Sequence, residues 1–307
     1  MAHPALRGAV ERLLVRTGAA AVARKRTSGR TLILAYHNVV PDHLGPVGDR
    51  SLHLPLRAFR AQLDLLASLC DVVPLTALFD GASESRPRVA ITFDDACRGA
   101  VTLGVDELVR RGLPGTIFVA PGLLEDRSFW WDELYAVGGE EGLLSNLRHR
   151  ALTEWRGEGD AVRAGLRARG VEPRPDLLPA EARTATTAEL TGAAGRPGIT
   201  FGSHSWSHPN LAVLPPEAVA LELSRSSAWL SERFPAVTIP WLAYPYGLEA
   251  AHVRVTAESQ GYRAGLLVDG GWMARGRMPS FATPRSNVPA GISSQRFLLR
   301  LSDFPGL

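Results

Sequence analysis

The chain has 307 residues, of which 45% are hydrophobic and 21% are charged, a composition typical of a globular protein with one large core. Its net charge of +3 comes almost entirely from arginine, without a lysine-rich stripe or interleaved aromatic residues, so no nucleic-acid partner is expected. Two cysteines, Cys70 and Cys97, are too few for a disulfide framework, and we interpret them as buried free thiols, which favours a reducing compartment.

The N-terminal segment, residues 5–24, carries Leu6, Val10 and Leu13 at helical spacing, which predicts an amphipathic helical segment within residues 1–30. Charged side chains interrupt its apolar stretch, so it does not resemble an export signal. Two interpretations stay open: a surface helix that docks on the main domain, or a basic segment that rests on an anionic membrane. No apolar stretch approaches the roughly 20 residues that span a bilayer. We expect a cytoplasmic or peripherally membrane-associated protein.

Strands and helices alternate along the first part of the chain. Short apolar runs predict buried strands at residues 31–36, 88–93 and 115–120. Apolar residues at helical spacing predict a helix over residues 56–69, and a second helix is expected between the last two strands. The residues between the first strand and Pro55 are rich in glycine, proline and aspartate, which predicts a loop.

The stretch from residue 122 to residue 198 has a different composition. It begins with the aromatic and acidic run FWWDELYA and continues with many arginines, glutamates, glycines and prolines. No strong strand pattern is present, so we predict a mostly helical excursion between two strands. Trp130, Trp131 and Asp132 are interpreted as structural anchors, although exposed tryptophans can also stack on sugar rings.

The last part of the chain returns to the alternation of strands and helices. An alternation of this kind predicts an α/β fold with a parallel sheet or barrel. Polar clusters directly follow several of the strands, and in α/β barrels the chemistry collects at these carboxyl ends. The predicted strands cover residues 199–202, 239–244 and 263–268, and the predicted helices cover residues 216–233, 249–260 and 293–302.

Two pairs of polar residues stand at such strand ends. Asp94 and Asp95 follow the second strand; one aspartate is a favoured helix cap, but two adjacent carboxylates near a core indicate a cation or an acid–base task. His204 and His208 are four residues apart, which brings two imidazoles to one side of a turn and suits a metal site. Two histidines and one aspartate are a ligand set for zinc or another divalent first-row ion.

Three segments in this order resemble the motifs of the polysaccharide deacetylase family, whose members share the NodB homology fold: ITFDD (residues 91–95), HSWSH (residues 204–208) and AYPYG (residues 243–247). Each motif alone is short, but each follows a predicted strand, and the resemblance covers nearly the whole chain. It implies a distorted (β/α) barrel of the NodB type over residues 31–307, with residues 122–198 as a helical insertion.

The family assigns separate roles to these residues. Its first aspartate is the general base, and its second aspartate binds the metal together with the two histidines. The resemblance therefore implies that Asp94 is the base and that Asp95, His204 and His208 hold the metal. The third motif implies that the backbone N–H of Tyr246 stabilises the oxyanion.

Two positions depart from the family pattern. Ala243 replaces the arginine that usually begins the third motif and pairs with the base, and the late Leu-x-His motif that supplies the general acid is missing. Some members that resemble this chain at AYHNVV take the acid histidine from the first strand, which implies His37 as the proton donor. For the missing arginine, we propose that Arg285, in the late segment ATPRSNVP, folds back on Asp94.

The resemblance implies a metal-dependent hydrolase that removes N-acetyl groups from N-acetylhexosamine units of a polysaccharide, oligosaccharide or glycoconjugate, with Zn²⁺ as the expected cofactor. Trp206, Tyr244 and Pro245 are expected to contact this carbohydrate. Two alternatives stay open. One is hydrolysis of another N-acyl small molecule or a cyclic imide, and the other is a catalytically silent relative that binds glycans.

Overall fold

A computed structural model describes residues 4–17, 23, 25–80, 86–138, 141–274 and 276–304. At its centre is a sheet of parallel strands, beside which lies a second, two-stranded parallel sheet. The strands are β1 (Thr31–Tyr36), β2 (Asn38–Val40), β3 (His53–Pro55), β4 (Asp71–Val72), β5 (Arg88–Phe93), β6 (Gly115–Val119), β7 (Ile199–Ser203), β8 (Thr238–Ala243), β9 (Ala264–Leu266) and β10 (Ser286–Asn287).

The strand order of the large sheet is β10-β1-β5-β6-β7-β8-β9, with β4 beside the start of β5. At one edge β10 pairs with β1, and at the other edge Leu266 of β9 forms a parallel bridge with Thr283. The residues from Thr283 to Asn287, which we name the closing segment, therefore contact both edges of the sheet. They close it into a distorted barrel, and the predicted fold class is confirmed.

Continuous apolar sequence explains why the central strands form. β1 and β6 are buried along their whole length, and β5 is buried except at its first residue. Such runs are typical of parallel strands that are covered on both faces. Parallel strands also point their carboxyl ends in the same direction, so the polar residues that follow β1, β5, β7 and β8 emerge at one end of the barrel.

Helices connect the strands and cover the barrel. No helix in the described part of the chain is long and apolar enough to cross a membrane. The helices are α1 (Pro4–Arg16), α2 (Leu56–Leu69), α3 (Val105–Arg110, continuing a π-helical turn over Ala100–Gly104), α4 (Trp130–Val137), α5 (Glu141–Thr153), α6 (Gly159–Arg167), α7 (Thr187–Ala194), α8 (Pro216–Arg233), α9 (Ala251–Ser259) and α10 (Ser294–Leu301).

Several predicted elements have the observed bounds, including β1, β5, α2 and α8. The predicted loop before Pro55 is partly wrong, because β2 and β3 pair within it. Each has only three residues, too few to show an alternating pattern. The stretch 122–198 contains α4 to α7 and short 3₁₀ turns between β6 and β7.

The N-terminal helix α1 lies against α10 near the other end of the chain. Ser293 donates a hydrogen bond to Glu11, whose side chain is buried there. This contact agrees with a docked surface helix, whereas a membrane contact of residues 5–24 stays a prediction. The side chains of Leu6 and Val10 lie outside the described residues. Cys70 and Cys97 are both buried, as expected.

Glu107 of α3 joins the helices on one side of the barrel. It is buried, and it accepts hydrogen bonds from the guanidinium groups of Arg60 on α2 and of Arg110 and Arg111. Burial alone would raise the pKa of Glu107, but the three arginines outweigh this effect and lower the pKa to about 2. The carboxylate therefore carries a charge in the folded protein at every pH above this value.

We expect Glu107→Gln to lower the free energy of unfolding at neutral pH by about 2 kcal/mol, because the pKa is depressed on folding. Partial exposure of Arg60 and Arg110 reduces this figure through solvent screening. The stabilisation is complete above the unfolded-state pKa of roughly 4.3. It is lost as the pH falls from there towards the folded-state value. Urea denaturation of both proteins near neutral pH and in acid measures the difference.

Glu154→Gln is the matched control, because the Glu154–Arg150 pair is partly exposed to solvent. This change is expected to cost less than about 0.5 kcal/mol. A stability difference between wild type and Glu107→Gln that stays the same in acid would show that the charge of Glu107 is not the cause.

Candidate active site

Polar residues from three strand ends meet in one pocket of about 160 Å³. Asp94 and Asp95 follow β5, His204 and His208 follow β7, and His37 follows β1. Both aspartates and both metal-site histidines are buried. The described residues that line the pocket are His37, Ser51, Leu52, Asp94, Asp95, Trp131, Arg148, His204, His208, Tyr246, Gly247, Val268 and Asn287.

Asp94 forms a two-pronged ion pair with Arg285. The guanidinium donates to both carboxylate oxygens at 2.7 Å, and Arg285 is completely buried. Two further hydrogen bonds fix the arginine, one to the carbonyl of Leu267 at 2.7 Å and one to the hydroxyl of Thr92 at 3.2 Å. Burial alone would raise the pKa of Asp94, but the charge of Arg285, with a smaller effect of His204, lowers it below its ordinary value.

Asp95, His204 and His208 form a compact cluster of possible metal ligands. The Nε2 atoms of the histidines are 3.1 Å apart, and they lie 3.5 Å and 3.2 Å from Oδ1 of Asp95. Ligands that bind a tetrahedral zinc ion at about 2.0–2.1 Å are roughly 3.3 Å from one another. The three atoms therefore have the spacing that such an ion requires.

The hydrogen bonds of the cluster also fit a metal ion. Nδ1 of His204 must donate to the carbonyl oxygen of Ala243 at 2.8 Å, because a carbonyl only accepts, and this leaves the lone pair of Nε2 facing the cluster. Oδ1 of Asp95 is buried without a hydrogen-bond partner among the described residues. Burial would raise the pKa of Asp95, but the two histidines hold it well below its ordinary value. An anionic oxygen of this kind calls for a cation.

Unusual backbone conformations shape the loops around the cluster. Asp95, Ser205, His208 and Tyr246 all have positive φ, between 59° and 71°, although none is glycine. Such conformations are costly for residues with a Cβ atom, and they concentrate at functional sites. The sequence motifs gave no sign of this strain.

Glu222 of α8 holds the loop that connects the two histidines. Its carboxylate accepts hydrogen bonds from the backbone amides of Trp206 and Ser207, at 3.0 Å and 2.8 Å, and from the hydroxyl of Ser207. Sequence analysis did not select Glu222, because a glutamate inside an amphipathic helix normally faces solvent.

His37 and Tyr246 both line the pocket. Among the described residues, none forms a hydrogen bond with the imidazole of His37, which is partly exposed. The hydroxyl of Tyr246 accepts from Nε1 of Trp130 at 2.9 Å and donates to the carbonyl of Gly157 at 3.1 Å. The stretch 122–198 therefore fixes this tyrosine.

Trp130 and Trp131, in the stretch 122–198, are buried, in agreement with a structural role. Trp131 also reaches the pocket, where its ring lies 5.1 Å from the ring of His208. The aromatic run thus anchors the insertion and forms part of the pocket wall.

The residues expected to bind substrate do not line this pocket. Tyr244 is completely buried, and its hydroxyl donates to the carbonyl of Phe281, while Pro245 is buried beside it. The ring of Trp206 lies under the guanidinium of Arg225, 4.2 Å from its carbon. Beside the predicted residues, the pocket wall includes four that sequence analysis did not select, Ser51, Leu52, Arg148 and Asn287.

Three solved structures share this fold. The Streptococcus pyogenes deacetylase PplD in complex with acetate has a TM-score of 0.60 at 18% identity, over 90% of this chain and 99% of that chain. IcaB from Ammonifex degensii has a TM-score of 0.62 at 16% identity, over 90% and 97%. A de-N-acetylase from Aggregatibacter actinomycetemcomitans has a TM-score of 0.58 at 13% identity, over 87% and 98%. No curated protein sequence matches the chain significantly.

The sequence profile described as polysaccharide deacetylase matches residues 81–265, which is more than half of the chain. This span includes both aspartates that follow β5, both histidines that follow β7 and the turn at Tyr246. The family and the enzyme class expected from the sequence are confirmed. The chain belongs to the polysaccharide deacetylase family, whose members are hydrolases that act on amide bonds of polysaccharides.

Proposed function

We propose that the protein is a metal-dependent N-deacetylase that removes acetyl groups from N-acetylhexosamine units of a polysaccharide, oligosaccharide or glycoconjugate. The observation that carries this proposal is the ion pair of Asp94 with Arg285 beside the ligand cluster of Asp95, His204 and His208 in one pocket. A charged base, a set of metal ligands and a histidine at the mouth are the groups that amide hydrolysis requires.

Asp95, His204 and His208 would hold a divalent ion, and zinc suits two imidazoles and one carboxylate best. When bound, such an ion supplies Lewis acidity, which polarises a carbonyl group and makes water more acidic. The hydrogen bond from His204 to the carbonyl of Ala243 would orient this ligand, as outer partners of metal-binding histidines usually do.

In this proposal Asp94 accepts the proton of the attacking water. Arg285 keeps the carboxylate ionised and fixes its orientation through two hydrogen bonds, so the base is charged and aligned before substrate arrives. Arg285 thus takes the role that Ala243 leaves open in the third motif.

The leaving amine needs a proton, and His37 is the proposed donor. It lies in the same pocket as Asp94, and its ring is free of hydrogen bonds to other described residues. The backbone N–H of Tyr246 is the proposed donor to the oxyanion of the tetrahedral intermediate. The positive φ of Tyr246 gives this turn a conformation that helical backbone would not adopt.

The neighbouring structures support N-deacetylation as the reaction. One is described as a deacetylase in complex with acetate and another as a de-N-acetylase. Acetate release from N-acetylhexosamine oligosaccharides, compared with acid release from other N-acyl amides and ring opening of cyclic imides, tests the substrate class. Hydrolysis of the other amides or the imides without acetate release from the sugars would favour the amidohydrolase alternative, and hydrolysis of none of these compounds would favour the silent relative.

Asp94→Asn is expected to lower the turnover number at least about 100-fold, because the amide cannot accept the proton. Zinc content should stay at the wild-type level, since Asp95 and both histidines are intact. Acetate release and metal analysis of the same sample measure the two effects. Full activity of this variant would rule out Asp94 as the base.

Arg285→Lys is expected to lower turnover about 10- to 100-fold, because lysine keeps the charge but cannot form the paired hydrogen bonds. Arg285→Ala leaves a buried carboxylate without a partner, which costs roughly 3–5 kcal/mol and endangers folding. In both variants the pKa of Asp94 rises, so the acidic limb of the pH–rate profile moves to higher pH. Arg263→Ala, at an exposed position, is the control. A wild-type profile of Arg285→Lys would contradict the proposed role.

Removal of the metal is expected to abolish acetate release, and added Zn²⁺ should restore it. His208→Ala should bind zinc at least about 10-fold more weakly than wild type, because one ligand is lost. Acetate release before and after dialysis against a chelator, and after added Zn²⁺, measures the first effect. Titration calorimetry with zinc measures the affinity of both proteins. Wild-type zinc affinity in His208→Ala would place the ion elsewhere.

A further inference from the structure

Arg148 stands out among the residues that line the pocket. It is the only arginine or lysine among the described residues of the pocket wall, because Arg285 lies behind Asp94 and does not line it. Arg148 belongs to α5, inside the stretch 122–198, and its side chain is 36% exposed. The positively charged guanidinium of Arg148 is therefore accessible in a pocket that otherwise contains carboxylates and imidazoles.

The guanidinium of Arg148 is held in position, but most of its N–H donors have no partner among the described residues. One of its nitrogen atoms donates to Oδ2 of Asp49 at 3.1 Å, and no other partner is present among the described residues. Asp49 is itself held, because its other oxygen accepts from the amide and hydroxyl of Ser51. An arginine side chain has more N–H donors than this contact uses. The remaining donors are free to bind a ligand.

A buried network fixes Asp49 from behind. The backbone amide of Asp49 donates to Oδ1 of Asp132 at 2.8 Å, and the same oxygen lies 2.9 Å from Nε2 of His53. Nδ1 of His53 is 3.0 Å from the amide of Asn38. Asp132 belongs to the run FWWDELYA, so this motif supports Arg148 through Asp49.

Among the described residues, no carboxylate that lines the pocket is paired with Arg148. Of the two carboxylates that line the pocket, Asp94 is paired with Arg285, and Asp95 is enclosed by His204 and His208. Asp49, which does contact Arg148, does not line the pocket. A negatively charged ligand group would meet an available fork of donors.

We propose that Arg148 recognises an acidic substituent, a carboxylate or a phosphate, on the N-acetylated sugar that the pocket binds. This inference rests on the proposed deacetylase function and adds the charge of the substrate. Arginine suits the role because its planar guanidinium matches both oxyanions with paired hydrogen bonds. Arg148 acts here as a specificity residue, because it binds the substituent and takes no part in proton transfer.

The test compares acidic and neutral forms of one sugar with the zinc-loaded protein. The probes are N-acetylglucosamine 1-phosphate, N-acetylglucosamine 6-phosphate, N-acetylmuramic acid and the neutral methyl glycoside of N-acetylglucosamine. The phosphates and the carboxylate distinguish the two sources of negative charge. Acetate release gives kcat and KM, and titration calorimetry gives binding that does not depend on turnover.

Arg148→Gln is expected to lower kcat/KM for the preferred acidic probe about 10- to 100-fold, mainly through KM, which corresponds to the loss of a charged hydrogen-bonded contact. For the neutral glycoside the change should stay below about threefold. Arg148→Lys should recover part of the affinity, because the charge remains. Arg150→Gln is the matched control, since Arg150 lies on the same helix but pairs with Glu154 outside the pocket.

Equal losses for acidic and neutral probes in Arg148→Gln would overturn the proposal and indicate a contact to sugar hydroxyls or a structural role. Wild-type protein that binds no acidic probe more tightly than the neutral glycoside would overturn it as well. If no probe releases acetate but an acidic probe binds through Arg148, the deacetylase function fails for these sugars while the inference stands.

Discussion

The site depends on the ion pair between Asp94 and Arg285, which keeps a charged carboxylate inside the barrel. A buried charge without a partner is strongly destabilising, whereas one with paired hydrogen bonds is tolerated. The barrel supplies the partner through its closing segment, which carries Arg285 and contacts both sheet edges. The same segment thus closes the sheet and neutralises Asp94. The proposed mechanism follows from this arrangement, because a base that is already charged and aligned needs no rearrangement before it accepts a proton.

The second constraint is the spacing of the ligand cluster. Three ligand atoms between 3.1 Å and 3.5 Å apart come from two strand ends and a loop of positive-φ residues. Glu222 and the carbonyl of Ala243 hold this loop and one imidazole from outside. The stretch 122–198 completes the pocket by fixing Tyr246 and by contributing Trp131 and Arg148. In our proposal the residues that carry out hydrolysis therefore lie on the barrel, whereas Arg148, which recognises the substrate, lies in the stretch between β6 and β7.

Much of the barrel could be predicted from the sequence, because buried parallel strands are continuous apolar runs and the helices between them are amphipathic. β1, β5, α2 and α8 have their predicted bounds for this reason. The short strands β2, β3, β4 and β10 could not be predicted, since two or three residues carry no periodicity.

Among the site residues, those in motifs next to strand ends could be selected. Arg285 could be named only as a hypothesis, because 191 residues separate it from Asp94 and only tertiary structure joins them. Arg148, Asp49 and Glu222 give no local signal at all. Tyr244 and Trp206 were expected at the substrate because they stand in motifs, but motif membership does not set the direction of a side chain.

The late position of the closing segment has a consequence for the order of synthesis. The ligand cluster and Asp94 all precede β9 in the chain, whereas Arg285 follows it. A nascent chain that has left the ribosome only as far as β9 has unpaired edges at β1 and β9, and its Asp94 has no counterion. Open strand edges are the surfaces through which chains associate with one another. The interval between the emergence of β9 and that of the closing segment is therefore one in which the chain needs protection from aggregation, and it ends when the residues around Arg285 emerge.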